Sequence, residues 1–291
     1  MQGALRCGTS GWTHADWDSV VYPAVKPRGF HPLEFLSHHL DLVEIDASFH
    51  RPLRPEISKL WAHQVGQRPN FQFSAILGRQ FTYDRQLDSN SIQRFKDGLW
   101  PLRSAGRLGC LLMRFPWSFR FTRENRDFLI ELRRTFHEFP LVAEMRHSSW
   151  TLDEALGTLM DYRVGFCNVD QPRGARATPP DAIITSPISY VRLLGRNGAD
   201  WTEEQVAADY LYTPQELGEW QSRVARLRVH TNATFVVTAN HIGGKAAVNA
   251  MQLKAMLGDV SSPLPRRTQA MPPRRENVAP ISSGQLLLRA G

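Results

Sequence analysis

The stretch Leu141-Val142-Ala143-Glu144-Met145-Arg146-His147 places charged side chains at alternate positions, where a buried strand would ordinarily be apolar. Side chains along a strand point alternately to its two faces, so Val142, Glu144 and Arg146 share one face. Ionised groups are costly to remove from water unless they are paired, so this face must meet partners or a polar cavity. The stretch therefore predicts a strand of a sheet that closes around a polar mouth.

The same alternation recurs in three further runs, namely Val43-Glu44-Ile45-Asp46, Phe166-Cys167-Asn168-Val169-Asp170 and Tyr190-Val191-Arg192-Leu193. With four more strand-like runs they predict eight strands, at residues 4–11, 42–49, 71–77, 109–115, 141–147, 164–170, 189–195 and 234–241. Apolar spacings of three and four between most of the strands predict helices, at 53–65, 91–102, 123–139 and 245–257.

This repeated strand–helix alternation predicts an α/β fold, a (β/α)8 TIM barrel. A doubly wound sheet is the alternative, but its central strands would be apolar on both faces. Two further helix starts are predicted from capping boxes, at Thr151-Leu152-Asp153-Glu154 and Thr213-Pro214-Gln215-Glu216.

The chain of 291 residues, 42% of them hydrophobic, is long enough for one such barrel. We predict that residues 1–260 form this single domain and that 261–291, rich in proline and arginine, are a disordered tail. No apolar run is long enough to cross a membrane, and the first strand begins too early to leave room for a signal peptide. Three scattered cysteines (Cys7, Cys110 and Cys167) are typical of a reducing compartment, so a cytoplasmic protein is predicted.

The net charge of +7 is concentrated near the C-terminus. Residues 263–291 contain five arginines and one glutamate, a net +4, which leaves +3 for the other 262 residues. A basic tail makes a nucleic-acid partner possible without favouring one. The composition does not predict an oligomeric state.

Seven motifs follow one another along the chain. They are Cys7-Gly8-Thr9-Ser10-Gly11-Trp12, Val43-Glu44-Ile45-Asp46-Ala47-Ser48-Phe49, Phe115-Pro116-Trp117-Ser118-Phe119, Glu144-Met145-Arg146-His147-Ser148-Ser149-Trp150, Tyr190-Val191-Arg192-Leu193, Asp209-Tyr210-Leu211-Tyr212 and Asn240-His241-Ile242-Gly243-Gly244-Lys245-Ala246. In these motifs the chain resembles the YecE-like family (domain of unknown function 72) over residues 5–257. The resemblance implies a TIM barrel, and it implies no particular reaction because none is established for that family.

The chain departs from that family at five polar positions of the expected mouth. Where the family usually has a lysine this chain has Ile76, and where it has a glutamine this chain has Arg114. The usual histidine is replaced by Leu194, and two usual asparagines are replaced by Ala239 and Asp46. The resemblance therefore implies the architecture and leaves the chemistry of this mouth open.

Strand parity predicts a set of polar side chains on the inner face of the barrel: Glu44, Asp46, Arg114, Glu144, Arg146, Asn168, Asp170, Arg192 and Asn240. Arginines offer forked donors to a phosphate or a carboxylate, and a spare carboxylate can act as a general base. The alternative is a closed layer of ion pairs that only fills the barrel, above all at Glu44 and Arg192.

Gly243-Gly244-Lys245 follows the last strand and opens the last helix. Glycines at a helix start let backbone N–H groups approach an anion, and barrel enzymes often bind phosphate after strands seven and eight. A plain helix start is the alternative.

His147 and His241 each end a strand beside carboxylates, so they are candidate bases or metal ligands. With Glu144 and Asp170 they resemble the metal set of sugar-isomerase barrels, but arginines in the same mouth would repel a divalent cation. We therefore predict no metal and no cofactor.

Two aromatic loop residues complete the candidate set. Trp12 belongs to a long aromatic loop after the first strand, and Tyr210 lies in a loop that could close over a ring-bearing substrate. The alternative for Tyr210 is a hydrophobic patch that anchors its loop.

The sequence thus predicts an enzyme, hydrolase-like or isomerase-like, that acts on a small anionic metabolite, such as a phosphorylated one. Arg114, Arg146, Arg192, Asn240 and the Gly243–Lys245 stretch would bind it, and Asp46, Glu144, Asp170, His147 or His241 would move protons. A nucleic-acid-binding or phosphodiesterase-type barrel and a non-catalytic binding protein are the alternatives.

Overall fold

Eight parallel strands close into a barrel in chain order, and the last strand pairs back to the first. The strands of this computed structural model are β1 (Ala4–Ser10), β2 (Leu42–Ile45), β3 (Gln72–Ile76), β4 (Leu108–Arg114), β5 (Leu141–Glu144), β6 (Gly165–Asp170), β7 (Ile188–Leu193) and β8 (Ala233–Thr238). The structure describes residues 2–172, 177–198 and 204–258. The predicted (β/α)8 TIM barrel is confirmed, and the predicted tail at 261–291 lies outside the described residues.

Helices follow the strands and cover the outside of the barrel. They are α1 (Pro32–Ser37), α2 (Ala47–His50), α3 (Pro55–Gln64), α4 (Arg79–Thr82), α5 (Ser89–Ser104), α6 (Arg123–Thr135), α7 (Asp153–Asp161), α8 (Glu204–Ala208), α9 (Pro214–His230) and α10 (Lys245–Met256). None of the helices in the described ranges is both long and apolar enough to cross a bilayer.

Several strands end earlier than their sequence pattern predicts. Strand β2 stops at Ile45 because the next residues turn into the short helix α2, and β5 stops at Glu144 before Arg146 and His147. Strand β8 likewise ends at Thr238, ahead of Asn240 and His241. Polar residues that parity assigned to strands therefore lie in the turns above the barrel, where candidate site residues belong.

One of the two predicted capping boxes forms. The hydroxyl of Thr213 accepts from the backbone of Glu216, whose carboxylate accepts from the backbone of Thr213. The prediction for Thr151 is wrong, because α7 begins one residue later, with Leu152 as its N-cap. The Thr151 hydroxyl instead donates to the carbonyl of Ser148, at 2.8 Å.

The barrel interior is apolar below and charged above. Side chains from most strands fill its lower part, including Cys110, Leu112, Val142, Cys167, Val169, Phe235 and Val237. A larger apolar core lies between the strands and the surrounding helices. The three cysteines are buried and form no disulfide.

Strands β6 and β8 face the opposite way from the parity prediction. Cys167 and Val169 point into the barrel, so Asn168 and Asp170 point outward into the helical layer. In β8 the inward residues are Phe235 and Val237, which likewise turns the later residue Asn240 outward. The prediction fails here because it assigned every polar face to the interior, whereas these side chains find partners among the helices and loops.

Candidate functional site

A cavity of about 320 Å³ opens at the carboxyl ends of the strands, where barrel enzymes hold their active sites. Its lining combines charged, polar and apolar side chains from all parts of the barrel. They are Ser10, His14, Asp46, Phe49, His50, Ile76, Arg114, Arg146, Gln171, Pro172, Arg192, Leu194, Ala207, Ala208, Ala239 and His241. The size is at the lower end of the range for small-molecule sites.

A buried ion network forms the floor of this cavity. The Arg192 guanidinium donates to both oxygens of Glu44, at 3.0 and 2.7 Å, and to Oε2 of Glu144 at 2.5 Å. Tyr190 and Ser10 add hydroxyl donors to Glu44, at 2.9 and 2.7 Å. Strands β2, β5 and β7 thus bring together the Glu44, Glu144 and Arg192 side chains that parity predicted inside the barrel.

Two further arginines lie above this floor and line the cavity. Arg146 approaches Oε1 of Glu144 through Nε at 3.1 Å and through a terminal nitrogen at 3.0 Å. Arg114 approaches the same oxygen at 3.6 Å, and its guanidinium lies 5.0 Å from the ring centre of Phe49. One carboxylate is therefore shared by three guanidinium groups.

This sharing decides the charge of Glu144. Burial acts to raise the pKa of the carboxyl, but the positive charges of Arg192, Arg146 and Arg114 outweigh it and hold the pKa well below its ordinary value. Glu144 is consequently an anion at any physiological pH. It is suited to orienting the arginines and unsuited to the proton transfer predicted for it.

A pair of imidazoles forms another part of the lining. The rings of His14 and His241 are stacked, with centroids 4.6 Å apart and planes inclined by 19°. Asp46 lines the same cavity and raises the pKa of His14, but burial has the larger effect, and the net pKa lies below the ordinary value. His14 is therefore neutral at neutral pH, as a general base must be.

The Gly243-Gly244-Lys245 stretch does not form the predicted anion cradle. The backbone N–H of Gly243 donates to a carboxylate oxygen of Asp16 at 2.6 Å, and Lys245 forms an ion pair with Asp209. A side chain at Gly244 would meet Val21 at 2.7 Å. The glycines thus contact the segment after β1 and Lys245 contacts the loop before α9, so the carboxylates of Asp16 and Asp209 occupy the groups that were predicted to bind an anion.

Three other predicted site residues are not part of the cavity lining. Asp170 accepts from the indole N–H of Trp220 at 2.5 Å and from Arg196, whose shortest bond to it is 2.8 Å. Asn240 donates to the carbonyl of Tyr210 and to Asn249. His147 caps the turn at Ser148–Thr151, where its Nδ1 accepts from the backbone of Ser149 at 3.1 Å. The barrel therefore does not bring His147, Asp170 and His241 together.

The arrangement likewise offers no metal centre in the described ranges. Nowhere within residues 2–172, 177–198 and 204–258 do three or more His, Cys, Asp or Glu side chains meet in a geometry that could hold an ion. The sugar-isomerase-like set is separated because Asp170 faces α9 and Glu144 is tied to arginines.

Both predicted aromatic contacts are structural. Trp12 packs edge-on against Trp61 in the outer core, with ring centres 4.9 Å apart. The Tyr210 hydroxyl donates to Glu216 at 2.6 Å, and Tyr210 stacks edge-on against Tyr212. The anchoring alternative is therefore the better interpretation of Tyr210.

Sequence reasoning missed four polar residues of the lining: Ser10, His14, His50 and Gln171. Ser10 lies on the same face of β1 as Gly8, opposite the outward-facing Cys7, so strand parity could have predicted that it faces the interior. His14 and Gln171 lie in loops, where side-chain direction has no period, and His50 ends the short helix α2, which the sequence pattern did not predict.

A family model described as "Protein of unknown function DUF72" matches residues 6–274. The UPF0759 protein YunF of Bacillus subtilis is 25% identical over 267 residues, which cover 86% of this chain and 93% of that protein. A crystal structure of a DUF72 family protein from Thermotoga maritima superposes with a TM-score of 0.76 at 29% identity, over 88% of this chain and 99% of its own. Another, from Enterococcus faecalis, gives a TM-score of 0.77 at 23% identity, over 90% and 99%. These similarities establish the barrel and state no substrate.

Proposed function

The chain belongs to the DUF72 family of proteins of unknown function, and from that premise we propose that it binds a small anionic metabolite, such as a phosphorylated one, and transforms it by proton transfer. The observation that supports this most strongly is the placement of Arg114 and Arg146 in one cavity at the carboxyl ends of the strands. Their planar, forked donors suit a carboxylate or a phosphate.

The cavity favours a small ligand over a polymer. A volume of about 320 Å³ suits a compact metabolite, and Arg114 and Arg146 line it above the barrel floor. A nucleic acid would need a groove that follows its backbone. The nucleic-acid alternative would therefore have to depend on the basic residues beyond 258, which lie outside the described residues.

An enzymatic role is favoured over passive binding because proton-transfer groups share the cavity with the arginines. Asp46, His14 and His241 line it together, and the lowered pKa of His14 keeps that imidazole in the neutral form that acts as a base. Hydrolysis and isomerisation both remain compatible with these groups. The buried free thiols of Cys7, Cys110 and Cys167 support a reducing, cytoplasmic location.

The first prediction concerns Arg146→Lys, which keeps the charge and loses the fork. Phosphate or sulfate should raise the melting temperature of the wild-type protein. Half-saturation should require about tenfold more anion in the variant, a change of about 1.4 kcal/mol in binding. The measurement is a thermal melt across an anion titration, at constant ionic strength.

Arg196→Lys is the matched control, since Arg196 forms equally close carboxylate contacts but points toward Asp170 and Glu216. It should lower the melting temperature without changing the anion dependence. Anion stabilisation that is unchanged in Arg146→Lys would show that Arg146 is only a partner of Glu144. If the anion dependence does change in Arg146→Lys, mass spectrometry of small molecules that co-purify with the wild type and not with this variant identifies the natural ligand.

A further inference from the structure

The segment after β1 is fastened to the end of β8 in a way that brings His14 against His241. The Asp16 carboxylate accepts from the backbone of Gly243 at 2.6 Å, and the Trp17 indole N–H donates to the His241 carbonyl at 2.7 Å. Trp17 is fully buried and its ring lies 4.7 Å from that of His14. The stacked imidazoles are therefore held by contacts outside the rings themselves.

Gly11 makes room for this arrangement. Its φ of +71° is a conformation that residues with side chains rarely adopt. A Cβ at this position would stand 2.8 Å from Nε2 of His14 and 3.1 Å from a carboxylate oxygen of Asp46. Because both atoms lie next to the space that this Cβ would occupy, Asp46 and His14 are close neighbours at the mouth.

The hydrogen bonds of the two rings fix their tautomers. Nε2 of His14 lies 3.0 Å from the Ser10 carbonyl, and Nδ1 of His241 lies 3.2 Å from the Ala239 carbonyl. A carbonyl oxygen only accepts, so each of these nitrogens carries the proton. In its neutral form each ring therefore has one unprotonated nitrogen, Nδ1 in His14 and Nε2 in His241.

Two stacked imidazoles cannot both be charged without strong mutual repulsion. Burial lowers the pKa of His14 most, its bond to Ser10 raises it, and the neighbouring His241 lowers it further. The carboxylates of Asp46 and Asp16 act in the opposite direction. The pair is thus set to accept one proton, with Asp46 beside it to stabilise the cation that forms.

We propose that His14 and His241 form a single one-proton acceptor that deprotonates the substrate while Arg114 and Arg146 hold its anionic group. This rests on the proposed function. The substrate's X–H bond breaks, its electron pair stays on X, and the proton bonds to an imidazole nitrogen.

The same proton can then return to a neighbouring atom of the substrate. These two proton transfers need no second reactant. The reaction would therefore be the isomerisation of a small hydroxy or oxo compound that carries a phosphate or a carboxylate. Asp16 and Trp17 are positioning residues in this scheme.

The experiment is a pH titration of the 15N-labelled full chain by imidazole NMR. The expected tautomers above the transition are Nε2–H for His14 and Nδ1–H for His241. His241→Gln should raise the pKa of His14 because it removes a competing proton acceptor, and Asp46→Asn should lower it. His147→Gln is the matched control and should leave the His14 titration unchanged, since His147 binds Ser149 away from the pair.

Sulfate links the pair to the arginines in the same experiment. Bound at Arg114 and Arg146, it should raise the pKa of His14 in the wild type and much less in Arg146→Lys. Independent titration of the two rings, or reversed tautomers, would overturn the one-proton acceptor even if anions bind. Coupled rings without any sulfate effect would retain the acceptor and instead contradict its link to the anion, which the melting experiment tests separately.

Discussion

Glu144 joins the floor of the mouth to the groups that would meet a ligand. Its two oxygens contact Arg192 below and Arg146 and Arg114 above, and the side chain is fully buried. A carboxylate in this position orients three cations at once, so its removal would leave positive charges buried beside one another. The residue is better understood as the support of the arginines than as an acid or a base.

Glu144→Gln should therefore be far more costly than its size suggests. We expect a loss of about 3–5 kcal/mol in the free energy of unfolding, because the variant leaves buried guanidinium groups without their shared charge. Glu138→Gln is the control. Glu138 pairs with Lys96 while 26% of its side chain is exposed, so this variant should lose about 1 kcal/mol or less in the free energy of unfolding. Urea denaturation measures both, and equal losses would contradict this account of the network.

Single residues were predictable where one strand face meets one environment. Alternation placed Glu44, Glu144 and Arg192 together correctly, because β2, β5 and β7 send these side chains into the barrel. It failed for Asp170, whose partner Trp220 lies fifty positions away on α9. The His14 contact depends on the path of a loop, which has no periodic signal in the sequence.

At the scale of elements, the ends of strands and helices hold the site in place. The turn after β1 contacts the turn before α10 through Asp16 and Trp17. Thr213 caps α9, and Glu216 and Trp220 of that helix bind Arg196 and Asp170. The alternation of strands and helices was predictable because the hydrophobic periodicity of each element is visible within about a dozen consecutive residues. The exact ends were not, since the turns are fixed by contacts between distant segments.

Thr213→Ala should destabilise the protein through the α9 cap. The variant loses the hydroxyl that accepts from the backbone of Glu216, and we expect a cost of about 1 kcal/mol in the free energy of unfolding. Thr151→Ala should cost clearly less, because Thr151 forms a local bond to Ser148 and caps no helix. Urea denaturation of the two variants compares a formed capping box with one present only in sequence, and the reverse order would contradict the assignment.

The whole molecule combines a closed barrel with buried and half-buried groups whose pKa values are shifted by their surroundings. The carboxylates of Glu144 and Glu216 have lowered pKa values because cations or donors near them outweigh burial. His14, His31 and His39 have lowered pKa values chiefly because burial disfavours their charged form. Each of these groups binds fewer protons in the folded state than in the unfolded state, so all of them act in the same direction as pH falls.

The free energy of unfolding should accordingly decrease as pH falls from 7 to 5, and decrease further below the ordinary glutamate value of 4.5. In the first range His14, His31 and His39 take up protons around pH 6.5 in the unfolded chain, whereas burial lowers their pKa values in the folded chain. The double variant His31→Gln/His39→Gln should keep the part of this slope that comes from His14, and adding His14→Gln should remove it. Urea denaturation at pH 7, 6 and 5 supplies the slopes. An equal slope in the double and triple variants would mean that His14 takes up its proton as readily in the folded barrel as in the unfolded chain, and would contradict the lowered pKa that its partial burial at the mouth implies.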